Sequence, residues 1–333
     1  MKHLITISIA ALLLSANLVA QQKEETKKSK FQISFGYPLG THGSDTNYSN
    51  DYSFNILYGI NSGVNKFEFG SIFNYNKGNV KGFQMSGVAN INKFDTKGFQ
   101  MSTANITYGN LNGVQLGTFN LAKNVTGSQI GVFNLAKNVK GLQIGVFNYS
   151  KKVKGLQIGV FNYRENSDDG LSIGLLNIIK NGYYVAEVTT GEVMYANTNY
   201  KMGSKKFYTI FKLGYSSFKS KPIYSYGVGF GRVIPFSEKI AVNTELSYNK
   251  IVHDNDWSVK KNDLYKLDIN YNLQLANKFS LVAGPSLNYY NTNKKVDGEF
   301  GTLKLPYTIF EKTNTNSKQF FWVGFNFGIN YKF

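Results

Sequence analysis

Two histidines, His42 and His253, are the only imidazoles outside the amino-terminal apolar segment that carries His3. An imidazole becomes a base or a metal ligand when carboxylates, hydroxyls or further imidazoles converge on it. Here the two lie far apart in sequence, both in stretches read as loops. No His-Glu-x-x-His, no Gly-x-Ser-x-Gly, no phosphate-cradling Gly-Lys-Ser/Thr run and no cysteine occurs. "HDND" at 253–256 has the oxygens for a calcium ion, but a solvated loop is the plainer reading. Asp168-Asp169 reads as an irregular turn. "GVGFG" at 227–231 imitates a nucleotide-binding fingerprint, yet Tyr226, Val228 and Phe230 alternate around its glycines and no helix follows. The sequence therefore predicts no catalytic residue, no cofactor and no metal site.

The residue type that does accumulate at regular spacing is lysine. Lys77, Lys93, Lys123, Lys137, Lys151 and Lys180 each stand three residues after an asparagine that recurs down the chain. Lys81, Lys97, Lys140 and Lys154 stand just before a recurring glycine. Between 67 and 182 there are twelve basic residues against five acids. If the spacing is converted into spatial alignment, these lysines form one or two basic ridges able to hold a polyanion. The competing reading is that lysine is a soluble turn residue that also discourages edge-to-edge aggregation.

What must align them is a repeat. Asn74, Asn90, Asn105, Asn120, Asn134, Asn148, Asn162 and Asn177 mark eight copies, 14 to 16 residues apart. Gly82, Gly98, Gly113, Gly127, Gly141, Gly155 and Gly170 open seven of them. Gln84, Gln100, Gln115, Gln129, Gln143 and Gln157 follow two residues later, with Ser172 in the last copy. The first copy, "FEFGSIFN", and the last are degenerate, as capping repeats are. Within a copy, alternation puts Leu142, Ile144 and Val146 on one face and Gly141, Gln143, Gly145 and Phe147 on the other.

Two architectures satisfy this pattern. In a parallel β-solenoid each copy is one coil, and Gln and Asn stack on their counterparts above and below. In an antiparallel barrel each copy is one strand. The links "LAKNVT", "LAKNVK" and "YSKKVK" are alike on every turn, whereas an up-and-down barrel would alternate them, which favours the solenoid. So does the short run of outward aliphatic positions, against the ~9–11 residues a membrane strand requires. Strand counting favours the other: two candidate strands near 31–38 and 51–60, eight repeats and about eight later strands make one barrel of about 18.

The carboxyl-terminal part, 183–333, reads as membrane barrel. In "QFFWVGFNFGINYKF", Phe321, Val323, Phe325, Phe327, Ile329, Tyr331 and Phe333 share one face, while Trp322, Gly324, Asn326, Gly328, Asn330 and Lys332 share the other. Similar alternation recurs at about 183–190, 192–201, 206–218, 223–234, 240–248, 264–275 and 279–290, giving roughly eight antiparallel strands. Tight links at 202–205, 235–238 and 277–278 alternate with longer ones at 218–222, 252–262 and 291–318. Pro285 is the awkward residue, since it cannot donate to a ladder.

The organisation expected is a secretory signal at 1–21, an amino-terminal segment at 22–66 with two candidate strands, eight repeats at 67–182 and barrel strands at 183–333. A formal charge of +17, no cysteine and 15% aromatics fit an exported all-β chain. The repeat resembles a family of bacterial surface-repeat proteins built from tandem Gly-x-Gln-Ile/Leu-Gly-x-x-Asn units, over 67–182. The resemblance implies an exported, cell-surface location and brings no catalytic residues. The barrel third resembles bacterial outer-membrane proteins, whose terminal strand ending on an aromatic, as Phe333 does here, addresses the barrel-assembly machinery. The expectation is a non-enzymatic outer-membrane structural or interaction protein. Its partners would be membrane lipid, lipopolysaccharide or acidic glycan rather than nucleic acid. The alternative is a porin-like channel formed by one large barrel.

Overall fold

Identical side chains at a fixed spacing fall into line only if successive copies pair in parallel and in register, and the repeat does so. The computed structural model describes residues 26–166, 170–258 and 260–333; the leader at 1–21 and the Asp168-Asp169 turn lie outside them. Asn105 pairs with Asn120 and Gln115 with Gln129. Gln129 then pairs with Gln143, and Gln143 with Gln157. Every such pairing is parallel, so each copy is one coil of a β-solenoid of about nine turns. That overturns the single barrel of about 18 strands: the repeats never meet the later strands in one sheet.

The stack also begins before the repeat is recognisable. Strand Lys27–Gly36 pairs in parallel with Tyr48–Asn55, which pairs in parallel with Gly63–Gly70. The amino-terminal segment is thus the first part of the solenoid rather than a separate unit. Its coils keep the stacked backbone while having lost the Gly-x-Gln spelling.

The recurrent glycine has a steric cause. A Cβ on Gly127 (φ 129°) would lie 2.0 Å from the carbonyl oxygen of Gly113 in the coil below. No side chain fits there, so only glycine permits coils to stack at the ~4.8 Å spacing of paired strands.

From Tyr183 onward the chain forms eight antiparallel strands, Tyr183–Gly191, Ala196–Ser204, Phe207–Phe218, Lys221–Pro235, Ile240–His253, Asn262–Gln274, Phe279–Thr292 and Ser317–Lys332. The first pairs with the last, Val185 opposite Lys332 and Thr190 opposite Phe327, which closes the barrel. Phe325, Phe327 and Ile329 lie outside and are about half exposed, while Trp322, Asn326 and Asn330 point in and are buried. Pro285 sits exposed on the outer face, where the pairing between its strand and Asn262–Gln274 is interrupted. One link departs from expectation. Residues 218–222 do not make a long loop; Lys219 and Ser220 take left-handed φ angles of 49° and 60° and turn a two-residue hairpin.

The mouth opposite the tight turns is closed by its own connections. Val193, Met194 and Leu303 pack on Ile223, Ile251, Leu264, Tyr290, Phe320 and Trp322. Glu192 folds over Gly324, accepting from the Trp322 indole at 2.8 Å and from the Phe325 amide at 3.0 Å.

Candidate functional site: a basic edge on an inverted solenoid

The solenoid interior is polar. Gln84, Gln100, Gln115, Gln129, Gln143 and Gln157 are all fully buried, as are Asn74, Asn90, Asn105, Asn120, Asn134 and Asn148. Burying an amide without a partner costs ~1–3 kcal/mol, so such a core stands only if every amide is satisfied. Stacking supplies the partners. Asn134 donates to Asn148 at 2.9 Å, and Asn148 to Asn162 at 2.9 Å. Gln143 donates to Gln129 at 2.8 Å, and Gln157 to Gln143 at 2.9 Å. The asparagine ladder donates toward the carboxyl-terminal coils and the glutamine ladder toward the amino-terminal ones.

Both ladders need a terminus. The glutamine ladder ends on Glu68, whose carboxylate accepts from Gln84 at 2.8 Å, Asn76 at 2.7 Å and Asn61 at 2.6 Å. Burial pushes its pKa up to about 7, against the pull of those donors. The asparagine ladder ends outside the solenoid altogether. Asn177 donates to the Thr209 hydroxyl at 3.2 Å, and Thr209 donates to the Gly174 carbonyl at 2.7 Å. Thr209 alternates with Tyr208 and Ile210, which point into the barrel, so it lies on the outer wall. The last coil therefore sits against that wall, close to the tight-turn rim. Tyr184 fixes it further, its hydroxyl bonded to the Ile179 amide and carbonyl at 2.8 Å each.

With amides inside, the aliphatic and aromatic residues ride outside. Val146, Phe147, Val160 and Phe161 are exposed. The alternation that puts Phe147 with Gln143 fails because the chain turns a corner at Gly145-Val146; past it the inward residue is Asn148 and Phe147 faces out.

The ten lysines of the predicted ridge, Lys77, Lys93, Lys123, Lys137, Lys151, Lys180, Lys81, Lys97, Lys140 and Lys154, are all exposed and gather on the edge opposite that corner. Lys81 pairs directly with Lys97. Lys123 and Lys137 lie between the paired Ala122–Ala136 and Asn124–Asn138 positions. Tyr108 and Glu165 interrupt the first row, and Asn112 and Thr126 the second. Beneath the edge, Leu111, Val125 and Val139 form a small apolar core. Between the rows an outer asparagine ladder, Asn138 to Asn124 and Asn124 to Asn110 at 2.6 Å each, ends on Asp95. The edge is therefore a stiffened strip with cations repeating at coil spacing.

The other chemistry-bearing residues are dispersed. His42 stacks on Tyr48 at 3.8 Å and meets Asn50 at 3.1 Å. His253 is buried at a strand end, its carbonyl accepting from Lys294 at 3.1 Å. The acids of "HDND" face cations of the protein: Asp254 pairs with Lys221 at 3.2 Å and Asp256 with Lys294 at 2.8 Å. Lys294 beside Asp256 holds that carboxyl well below the usual range. Among the described residues no cluster of three or more His, Cys, Asp or Glu is placed to hold a metal ion. Gly227, Gly229 and Gly231 of "GVGFG" are strand residues paired with Asn249, Ser247 and Glu245.

Sequence reasoning missed the charges inside the barrel. Lys201 bridges Glu187 at 2.7 Å and Glu245 at 2.5 Å, and all three are buried. Lys212 and Lys266 meet Asp268 at 3.3 and 3.5 Å. Each falls on the polar phase of an alternating strand, so their inward aim was legible, though not their pairing. These side chains leave a lumen cavity of about 20 Å³. Comparisons with protein-family models, characterised proteins and solved structures return no match.

Proposed function

We propose that this is a bacterial outer-membrane protein whose barrel anchors the solenoid, and that the solenoid is a scaffold presenting a basic edge to a polyanion. The observation that carries the reading is the closed ring of eight strands with an apolar exterior, bearing the solenoid on its outer wall. A closed antiparallel ring with a greasy outside is the form in which strands satisfy their backbone in lipid. The resemblance of the repeats to bacterial surface-repeat proteins and the apolar run Leu4–Leu14 support export.

On this reading the chain is not an enzyme and needs no cofactor. Its ligand is anionic, with membrane-lipid phosphates, lipopolysaccharide or an acidic glycan as the available classes in that compartment. A porin-like channel loses its structural basis with the single large barrel, and an eight-stranded barrel is filled by its own side chains. The test is binding of the full chain to lipopolysaccharide and to an acidic glycan across a salt series. Affinity falls as salt rises, and the Lys123→Glu, Lys137→Glu, Lys151→Glu variant loses it; salt-independent binding contradicts the reading.

A further inference from the structure

The solenoid's surface is partitioned more sharply than scaffold duty requires. Residues 83–92, 99–107, 114–122, 128–136, 142–150, 156–163 and 171–179 contain no charged side chain. Every charge between 77 and 180 falls on the links or, as with Arg164, is buried. The outer surface of a coil therefore has two uncharged flanks meeting at an apolar corner, capped at the far end by lysines. Phe133, Val146, Val160 and Leu175 are 46, 48, 43 and 43% exposed along that hull. Phe327 and Ile329 on the barrel wall are 49 and 52% exposed, so the two surfaces are alike in kind. They are also continuous, because the last coil abuts the outer wall through Thr209 and Tyr184. An apolar patch this extended is not a surface that water tolerates.

The dimensions name the occupant. A flank of about five residues at ~3.3 Å each is ~16 Å deep, about half of a ~30 Å hydrocarbon core. An element of that depth, apolar at one end and basic at the other, matches one lipid leaflet with its phosphates. We infer that the solenoid lies within the leaflet adjoining the tight-turn rim, hull among phospholipid acyl chains and lysine edge at the phosphates. Its polar core is then the part shielded from lipid, as in a barrel, and the amide ladders satisfy the groups that hydrocarbon cannot. This rests on the membrane-barrel reading above and assigns the polyanion as the phosphate layer of the same leaflet.

The absence of cysteine makes the test direct. Single variants Val146→Cys and Val160→Cys on the hull, Lys137→Cys on the edge and Phe327→Cys on the barrel wall are spin-labelled in the full chain. After reconstitution in phospholipid vesicles, collision with oxygen, which concentrates in hydrocarbon, is compared with collision with a water-soluble nickel chelate. The expected result is oxygen-dominated accessibility at Val146 and Val160, equal to that at Phe327, with nickel-dominated accessibility at Lys137. Nickel access at the hull with oxygen access at Phe327 overturns the inference and leaves the barrel anchored. Exclusion of both agents at the hull overturns it too, since protein rather than lipid would then cover that surface. Nickel access at Phe327 as well overturns the membrane reading itself.

Discussion

Asn177 donates to Thr209 across 3.2 Å, and in doing so the asparagine ladder of a parallel solenoid ends on the outer wall of an antiparallel barrel. Thr209 in turn donates to the Gly174 carbonyl at 2.7 Å, which also accepts from Asn177 at 2.9 Å, so the three groups form one closed set of bonds. Thr209→Val preserves shape and removes both of its bonds, while Asn177 still donates to the Gly174 carbonyl at 2.9 Å, so the cost is that of two lost hydrogen bonds, ~0.5–1.5 kcal/mol each. The expected outcome is faster protease cleavage at the Lys180–Gly182 connection with barrel stability unchanged. Unaltered cleavage would mean that the coil is held by other contacts.

Within the ladders, Gln143 accepts from Gln157 and donates to Gln129. Gln143→Leu therefore breaks both ladder bonds, with a longer one to the Tyr149 carbonyl, and strands two buried neighbours, for a loss of about 2–4 kcal/mol. Leu142→Ile, which changes an outward side chain of the same strand, should cost under ~1 kcal/mol. Urea midpoints followed by circular dichroism in detergent separate the two. Equal midpoints would place the solenoid's stability elsewhere.

Glu68 makes the amino-terminal end of the solenoid sensitive to pH. Its pKa is raised to about 7 by burial, while the unfolded chain has the ordinary value near ~4.3. The folded state therefore binds more protons between those values, and stability falls as pH rises from about 4.5 to about 7, then levels off. The full span is on the order of 3 kcal/mol. Glu68→Gln, which restores the residue the repeat uses at this place, should flatten the slope. A Glu68→Gln profile parallel to the parent's would assign the pH dependence to another group.

Inside the barrel, Lys201→Met leaves Glu187 and Glu245 buried together without their cation. Breaking a buried pair from one side costs about 3–5 kcal/mol. Lys137→Ala, on the exposed edge, should change stability by under ~0.5 kcal/mol while weakening anion binding. Thermal unfolding of the two variants in one detergent decides whether the interior or the edge lysines hold the fold.

The repeat and the barrel were legible because each is written in a period the backbone enforces: one coil of stacked amides, or two residues per inward-outward step. Phe325, Phe327 and Ile329 could be assigned to the outer face from alternation alone, and links alike on every turn pointed to parallel stacking. The coil corner at Gly145-Val146 was not legible, because alternation continues in the sequence where the chain has already turned. Nor was the solenoid character of Lys27–Gly36 and Tyr48–Asn55, where Gln32 and Ser53 are buried without the Gly-x-Gln spelling. Glu68 left a faint trace, a glutamate standing at the glutamine position of the first copy. The lysine rows were legible as spacing, but only the stack showed that they share one edge. The junction at Thr209 left no signal, since a threonine on a barrel strand's outer phase looks like any other.

The account stands or falls on lipid contacting the barrel's outer face. The most direct measurement is sedimentation velocity of the full chain, with circular dichroism, as detergent is removed. The account predicts loss of the monodisperse species and aggregation once the outer face has no apolar solvent. A monodisperse monomer that keeps its strand signal in plain buffer would contradict it.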